Sequence, residues 1–180
     1  MKTTKLTLLI AACVFLFGCA SGAKKENMIY QGEQKTYDKT LNNNVEVTAV
    51  TGGKETNAAL KSEISSEDFS AALKASLSKQ GLLSDQGKYQ LQVKLSIVDQ
   101  DLFGADMTVT THVQYVLTDI ETNSVLLDDV IAAPYTATMG DALLGATRLR
   151  MANEGSGRKN IEKLLEKLAD LNVNEISLIQ

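Results

Sequence analysis

The chain has 180 residues, 44% of them hydrophobic and 22% charged, and its formal net charge at neutral pH is −4. This length fits one folded domain, and the acidic excess argues against binding to nucleic acid or electrostatic attachment to an anionic membrane. Two cysteines and one histidine are too few for a disulfide framework or a zinc cluster.

The first residues have the pattern of a bacterial export signal. Lys2 and Lys5 precede an apolar run over residues 6–17, which is shorter than the roughly 20 residues that span a bilayer. The run ends in Leu16-Phe17-Gly18-Cys19, which resembles the lipobox of bacterial lipoproteins, although Phe17 is larger than the usual residue there. The resemblance implies a diacylglycerol on the Cys19 thiol, cleavage just before Cys19, and acylation of the new amino group. The alternative is an ordinary secretory signal with an incidental cysteine.

This pattern divides the chain into three parts. Residues 1–18 are predicted to be the signal peptide, 19–44 the lipidated cysteine and a flexible polar tether, and 45–180 a periplasmic α+β domain. Loss of Lys2 and Lys5 leaves 16 basic against 22 acidic residues, a net charge of −6. Membrane attachment is therefore expected to depend on acyl chains and not on charge.

The domain is predicted to begin with a short strand and a helix. Val45, Val47 and Ala49 alternate with polar residues, which is typical of a half-buried strand. Ser65, followed three residues later by an aspartate, fits a capping box at a helix start. Gly81 is suited to the left-handed position that ends a helix.

Three further strands and a long helix are predicted to follow. Apolar and polar residues alternate over 89–97 and 107–118, and residues 125–138 form a fourth strand, whose Pro134 indicates an edge position or a bulge. Residues 141–171 carry a leucine stripe, and small residues in the middle of this helix indicate either a kink or close packing on the sheet. The order β-α-β-β-β-α predicts a two-layer α+β sandwich, with a four-stranded, mainly antiparallel sheet and two helices on one face.

The sequence offers little catalytic chemistry. His112, the single histidine, lies between Thr110 and Gln114 on the polar face of its strand, so we expect it to be solvated. No residue is predicted to be catalytic, to bind a cofactor or to ligate a metal.

One face of the last helix is the candidate ligand or partner surface. Its members are Arg148, Arg150, Asn153 and Arg158, with Asn160 close by in sequence. The simpler interpretation is a solvated face of mixed charge, in which Arg150 and Glu154 pair one helical turn apart. The alternative is a site for an anionic ligand or a protein partner, where the fourth strand meets the helix.

From about residue 45 to 171 the chain resembles a family of small proteobacterial lipoproteins. The segments that carry the resemblance are 68–73, 102–109, 134–138 and 148–155. Members of this family often bear the name UDP-N-acetylglucosamine acyltransferase. Enzymes of that name look like left-handed β-helices of six-residue repeats with a catalytic histidine. This chain has no six-residue repeat, and its one histidine lies on a plain alternating strand. The element order is also similar to that of auxiliary lipoproteins of lipopolysaccharide assembly.

Three functions remain open. The first is a non-catalytic, lipid-anchored periplasmic lipoprotein that binds an envelope protein in outer-membrane assembly or maintenance. The second is a lipid- or glycolipid-binding protein, and the third is the acyltransferase. Ala20 follows the predicted anchor, whereas enteric bacteria use aspartate there to retain lipoproteins in the inner membrane. This predicts the periplasmic face of the outer membrane.

Overall fold

The computed structural model describes residues 21–57, 61–100 and 104–173, so the predicted signal peptide and Cys19 lie outside the described residues. The strands are β1 Val45–Thr51, β2 Tyr89–Gln100, β3 Met107–Asp119 and β4 Ser124–Ala137. The helices are α1 Lys25–Met28, α2 Ser66–Lys79 and α3 Gly145–Asp170, with a short 3-10 helix at Lys39–Leu41.

The four strands form one sheet in the order β1-β2-β3-β4. β1 and β2 are parallel, because α2 connects them as a crossover, and the other two pairs are antiparallel. α2 packs on β1, and α3 packs on β3 and β4. The predicted two-layer α+β sandwich, with a mainly antiparallel sheet, is confirmed.

Helix α2 begins and ends as the sequence predicts. The Ser65 hydroxyl accepts the Asp68 N–H at 3.0 Å and donates to the Asp68 carboxylate at 2.8 Å, which satisfies one of the free donors of the first turn. Gly81, just beyond the helix, has φ +70°. Phe69 and Leu73 are fully buried on the face that packs against the sheet.

Strand β3 alternates between buried and half-buried residues along its whole length. His112 lies on the outer, half-buried face with 30% of its side chain exposed, and its Nε2 is 3.4 Å from Oδ2 of the exposed Asp99. A register shift in β2 between residues 95 and 97 brings Asp99 to this side. The predicted position of His112 on the solvent side is confirmed.

Strand β4 occupies an edge of the sheet, as Pro134 predicts. Pro134 has no N–H, and its carbonyl accepts Nζ of Lys159 at 3.3 Å. Lys163 donates to the neighbouring Ala132 carbonyl at 2.6 Å. Proline and lysine at an edge reduce the capacity of a strand to pair with another chain.

Small residues bring α3 close to the sheet, which was one of the two interpretations of this region. A Cβ at Gly155 would overlap the ring of Tyr135, and a Cβ at Gly157 would lie 2.8 Å from Sδ of Met28. The Ser156 hydroxyl accepts the Thr111 N–H at 2.9 Å. Helical structure continues through all three small residues, so close packing explains their presence.

Helix α3 begins four residues later than the sequence indicates. The Asp141 carboxylate accepts the Thr138 N–H at 2.7 Å, which closes a turn at that point. The Arg148 guanidinium then bonds the carbonyls of Ala142 and Leu143, both at 2.8 Å. These contacts hold residues 138–144 as a loop ahead of the helix.

Residues 21–44 pack on the domain, in place of the flexible tether expected from their polar composition. Met28 and Leu41 are fully buried, and Tyr30 is nearly so. The Tyr30 N–H donates to the Ser76 hydroxyl in α2 at 3.0 Å. α1 contacts both α2 and α3, so the few apolar residues of the segment fill the space between the helices.

Glu154 fixes the beginning of this segment to α3. Its carboxylate, in a side chain only 6% exposed, accepts the Lys24 N–H at 3.0 Å and the Asn27 side-chain amide at 2.8 Å. Hydrogen bonds to a charged, buried acceptor are among the stronger ones in proteins. The segment is therefore held by a specific polar contact as well as by apolar burial.

The first prediction concerns the packed face of α3. Leu168 is fully buried, so Leu168→Ala should lower the free energy of unfolding by about 2–5 kcal/mol. His112→Ala, on the solvent side, should change it by less than about 1 kcal/mol. Urea denaturation of the chain starting at Ala20 measures both. A larger loss for His112→Ala than for Leu168→Ala would contradict the layer assignment.

The second prediction concerns the docked segment. Glu154→Ala removes the acceptor of two hydrogen bonds, so trypsin should cut after Lys24 or Lys25 at least about tenfold faster, which corresponds to about 1.4 kcal/mol of local stability. Glu162→Ala, on the same helix but away from the segment, is the matched control. Equal cleavage rates in both variants, with equal global stability, would show that Glu154 does not hold the segment.

Candidate functional site

The structure separates the four residues of the predicted surface into two groups. Arg148 and Asn153 are buried and bond the protein itself. The Arg148 guanidinium bonds the loop before α3, and the Asn153 side chain donates to the Ser62 carbonyl at 3.0 Å and accepts from the Gln100 side-chain amide at 3.0 Å. These two residues stabilise the fold and are not available to a ligand.

Arg150 and Arg158 lie together at a groove between α3, β4 and α1. The groove has a volume of about 330 Å³ and is also lined by Asn27, Tyr135 and Glu154, with Met151 and Gly155. It lies where the fourth strand meets the helix, the location that the sequence analysis proposed for a ligand or partner site.

Both guanidinium groups at the groove already have partners. Arg150 donates to the Ser21 hydroxyl at 3.1 Å, and its Nε is 3.6 Å from the Glu154 carboxylate. Arg158 donates to the Asn27 carbonyl at 3.0 Å and lies 6.0 Å from the centre of the Tyr135 ring. The predicted pair of Arg150 and Glu154, one turn apart, is confirmed.

Glu154 weakens the attraction of the groove for an anionic ligand, because its carboxylate neutralises one of the two arginine charges. Glu154 lies between the two arginines in sequence and lines the same groove. Its carboxylate is the negative charge that faces Arg150 there. The contacts of Arg150, Glu154 and Arg158 go to residues 21–27. The physical effect of this cluster is to align the N-terminal segment along α3.

The alignment has a clear direction. Ser21 contacts Arg150, Lys24 contacts Glu154, and Met28 contacts Gly157. Residue numbers increase together along both segments, so Ser21, the first described residue, is the part of the segment nearest the N-terminal end of α3.

Asn160 belongs to a buried polar cluster and not to the exposed face with which the sequence associated it. Its side-chain amide donates to the Ile131 carbonyl at 2.8 Å, and its oxygen accepts the Tyr115 hydroxyl at 2.8 Å. Burial raises the pKa of Tyr115 well above its usual value, so the phenol remains protonated and donates this bond. Asn160 therefore joins α3 to β3 and β4.

Sequence reasoning did not find Asn27 or Tyr135 as parts of the groove. Asn27 lies more than a hundred residues before Arg158, in a segment with no recognisable pattern, and no local signal predicts that it docks there. Tyr135 follows Pro134 in a predicted strand, and the only hint of its role is the glycine at 155, which leaves room for its ring.

Two further structural findings concern sites of other kinds. Within residues 21–57, 61–100 and 104–173, no group of three or more His, Cys, Asp or Glu side chains could hold a metal ion. Over the same ranges, none of the helices combines the length and the apolarity that crossing a bilayer requires.

Comparisons with known proteins identify shared folds only. No family model matches the chain, and no curated protein sequence matches it. A protein from Xanthomonas campestris, described by the family model DUF330, is similar over 76% of this chain and 92% of its own, with 11% identity and a TM-score of 0.53. A minor lipoprotein from Acinetobacter baumannii is similar over 72% and 94%, with 7% identity and a TM-score of 0.51. At these identities the similarity shows a shared α+β fold and nothing more.

Proposed function

We propose that this chain is a lipid-anchored lipoprotein of the cell envelope that acts as a non-catalytic, partner-binding accessory module. The observation that carries the proposal is the sequence Leu16-Phe17-Gly18-Cys19, whose cysteine stands two residues before Ser21, the first described residue. A lipid on Cys19 would thus be joined almost directly to a packed domain. The fold that the chain shares with a protein described as a minor lipoprotein supports the proposed lipid anchor.

The non-catalytic part of the proposal is supported by how the polar residues are used. The buried polar side chains Ser156, Asn160 and Asn153 bond backbone or side-chain groups that join α3 to the rest of the fold. His112 lies on the outer sheet face, next to Asp99 and between Thr110 and Gln114. A partner protein is favoured over a glycolipid, because Glu154 neutralises one of the two arginine charges at the groove, and both guanidinium groups already bond residues 21–27.

The outer membrane is the proposed location. Ala20 stands at the position where aspartate would favour retention in the inner membrane of bacteria with the enteric sorting pattern. The domain would then lie in the periplasm, at the inner leaflet of the outer membrane.

The third prediction tests the anchor. Cys19→Ser should abolish acylation and leave the precursor uncut between Gly18 and residue 19, because the modified thiol is what the peptidase requires. Cys13→Ser, inside the signal, is the matched control and should be processed normally. Intact mass and labelling with radioactive palmitate measure both steps. A Cys19→Ser protein that is still cut at this bond and still bound to membranes would refute the lipoprotein proposal.

The fourth prediction tests the location. In an enteric host, Ala20→Asp should move the protein from the outer to the inner membrane, and Ala20→Ser, which is small and uncharged, should leave it in the outer membrane. Density-gradient separation of the two membranes gives the answer. Recovery of the unaltered protein only with inner membranes would overturn the outer-membrane assignment.

A further inference from the structure

A cluster of exposed apolar side chains lies in the loop before α3. Leu143 is 85% exposed, Leu144 58% and Met139 52%, and they are the most exposed large apolar residues of the described chain apart from Val130. Single exposed leucines are common on protein surfaces, but three within six residues at one loop are a concentrated apolar patch. The patch is therefore a candidate contact surface.

The loop is also held in a defined shape. Asp141 closes the turn at Thr138, and the Arg148 guanidinium bonds the carbonyls of residues 142 and 143. The Met139 N–H donates to the Asp106 carboxylate at 3.3 Å, which connects the loop to the start of β3. The apolar side chains are thus presented outward on an ordered support.

The first described residue of the N-terminal segment, Ser21, lies at the same end of the molecule as this loop. Ser21 is bound to Arg150, which lies six residues after Leu144, or about 9 Å along the helix axis. The segment runs parallel to α3, so Ser21, its first described residue, is also its part nearest the loop. Cys19 is two residues further, a distance of at most about 7 Å.

We infer that Met139, Leu143 and Leu144 contact the bilayer surface beside the lipid on Cys19, so that the domain is seated on the membrane in one orientation. The inference rests on the proposed lipidation of Cys19. We choose the bilayer as the partner of this patch because only Cys19 and Ala20 would separate the lipid from Ser21. Two residues are too short a link to hold this end of the domain away from the membrane.

The charges agree with apolar contact and not with electrostatic attraction. The loop and its surroundings carry Asp106 and Asp141; the Arg148 side chain is buried under the loop, and Arg150 is paired with Glu154. Acidic neighbours give no attraction to anionic lipids. Apolar side chains are sufficient for contact with the bilayer, because the acyl chains already hold the domain at the membrane surface.

The test uses the full-length protein, purified in lipidated form and reconstituted into phosphatidylethanolamine–phosphatidylcholine vesicles. An environment-sensitive fluorophore is attached at Leu143→Cys, and quenching is measured with lipids that carry a spin label near the headgroup. The matched control is Gln86→Cys, an exposed position at the opposite end of the sheet, about 40 Å away along β3. Both positions are solvent-exposed, so labelling leaves the packed core unchanged.

The expected result is a blue shift and at least about threefold stronger quenching at position 143 than at position 86, because interfacial apolar groups sit about 5–10 Å below the surface. A protein that floats with vesicles but shows equal quenching at both positions overturns the seated orientation and leaves the anchor intact. Shielding of position 143 that depends on protein concentration and not on spin-labelled lipid overturns it in favour of a second copy. A protein that does not float overturns both the anchor and the orientation.

Discussion

The close approach of α3 to the sheet is the constraint on which the rest of the structure depends. At its centre the Ser156 hydroxyl accepts the Thr111 N–H and donates to the Ala133 carbonyl at 2.7 Å. A hydroxyl can make both bonds only if the helix backbone lies very near the strands, and Gly155 and Gly157 make that approach possible. The glycines cost helix propensity, about 1 kcal/mol each. The bonds of Ser156 and Asn160 to buried backbone groups offset that cost.

This approach also determines where the N-terminal segment lies. Gly157 leaves the space that Met28 fills, and Glu154, one turn earlier, presents its carboxylate to Lys24 and Asn27. A larger residue at position 157 would move α1 away and separate it from the carboxylate. The small residues of α3 therefore serve two contacts on different sides of the helix, one with the sheet and one with the segment.

The repetitive parts of the fold could be predicted from the sequence, and its long-range contacts could not. Alternation with period two predicted β3, and Ser65 and Gly81 marked the ends of α2, because these signals act over a few residues. The bulge in β2 and the docking of residues 21–44 depend on partners distant in sequence. Polar composition suggested a tether because four or five apolar residues in a segment of this length do not reveal whether a cavity exists to receive them.

The same limit explains the outcome at the candidate site. Helical spacing correctly paired Arg150 with Glu154, since that contact is local. Spacing also grouped Arg148 and Asn153 with them, but these side chains turn into the protein, where Ser62 and the loop before α3 supply buried carbonyls. Whether an arginine is exposed depends on hydrogen-bond acceptors in distant segments. The spacing of charged residues along a helix gives no information about those acceptors.

The docking of residues 21–44 alters what an anchor at Cys19 would do mechanically. A flexible chain of about 25 residues would have a root-mean-square span of about 25–30 Å, and the domain could then rotate freely below the membrane. A link of two residues reaches at most about 7 Å, so rotation would bring other surfaces into collision with lipid. With the N-terminal end of α3 at the membrane, the turn between β3 and β4 would point away from it. The outer face of the sheet, with His112 and the exposed Val130, would then stand upright from the bilayer and stay clear of it.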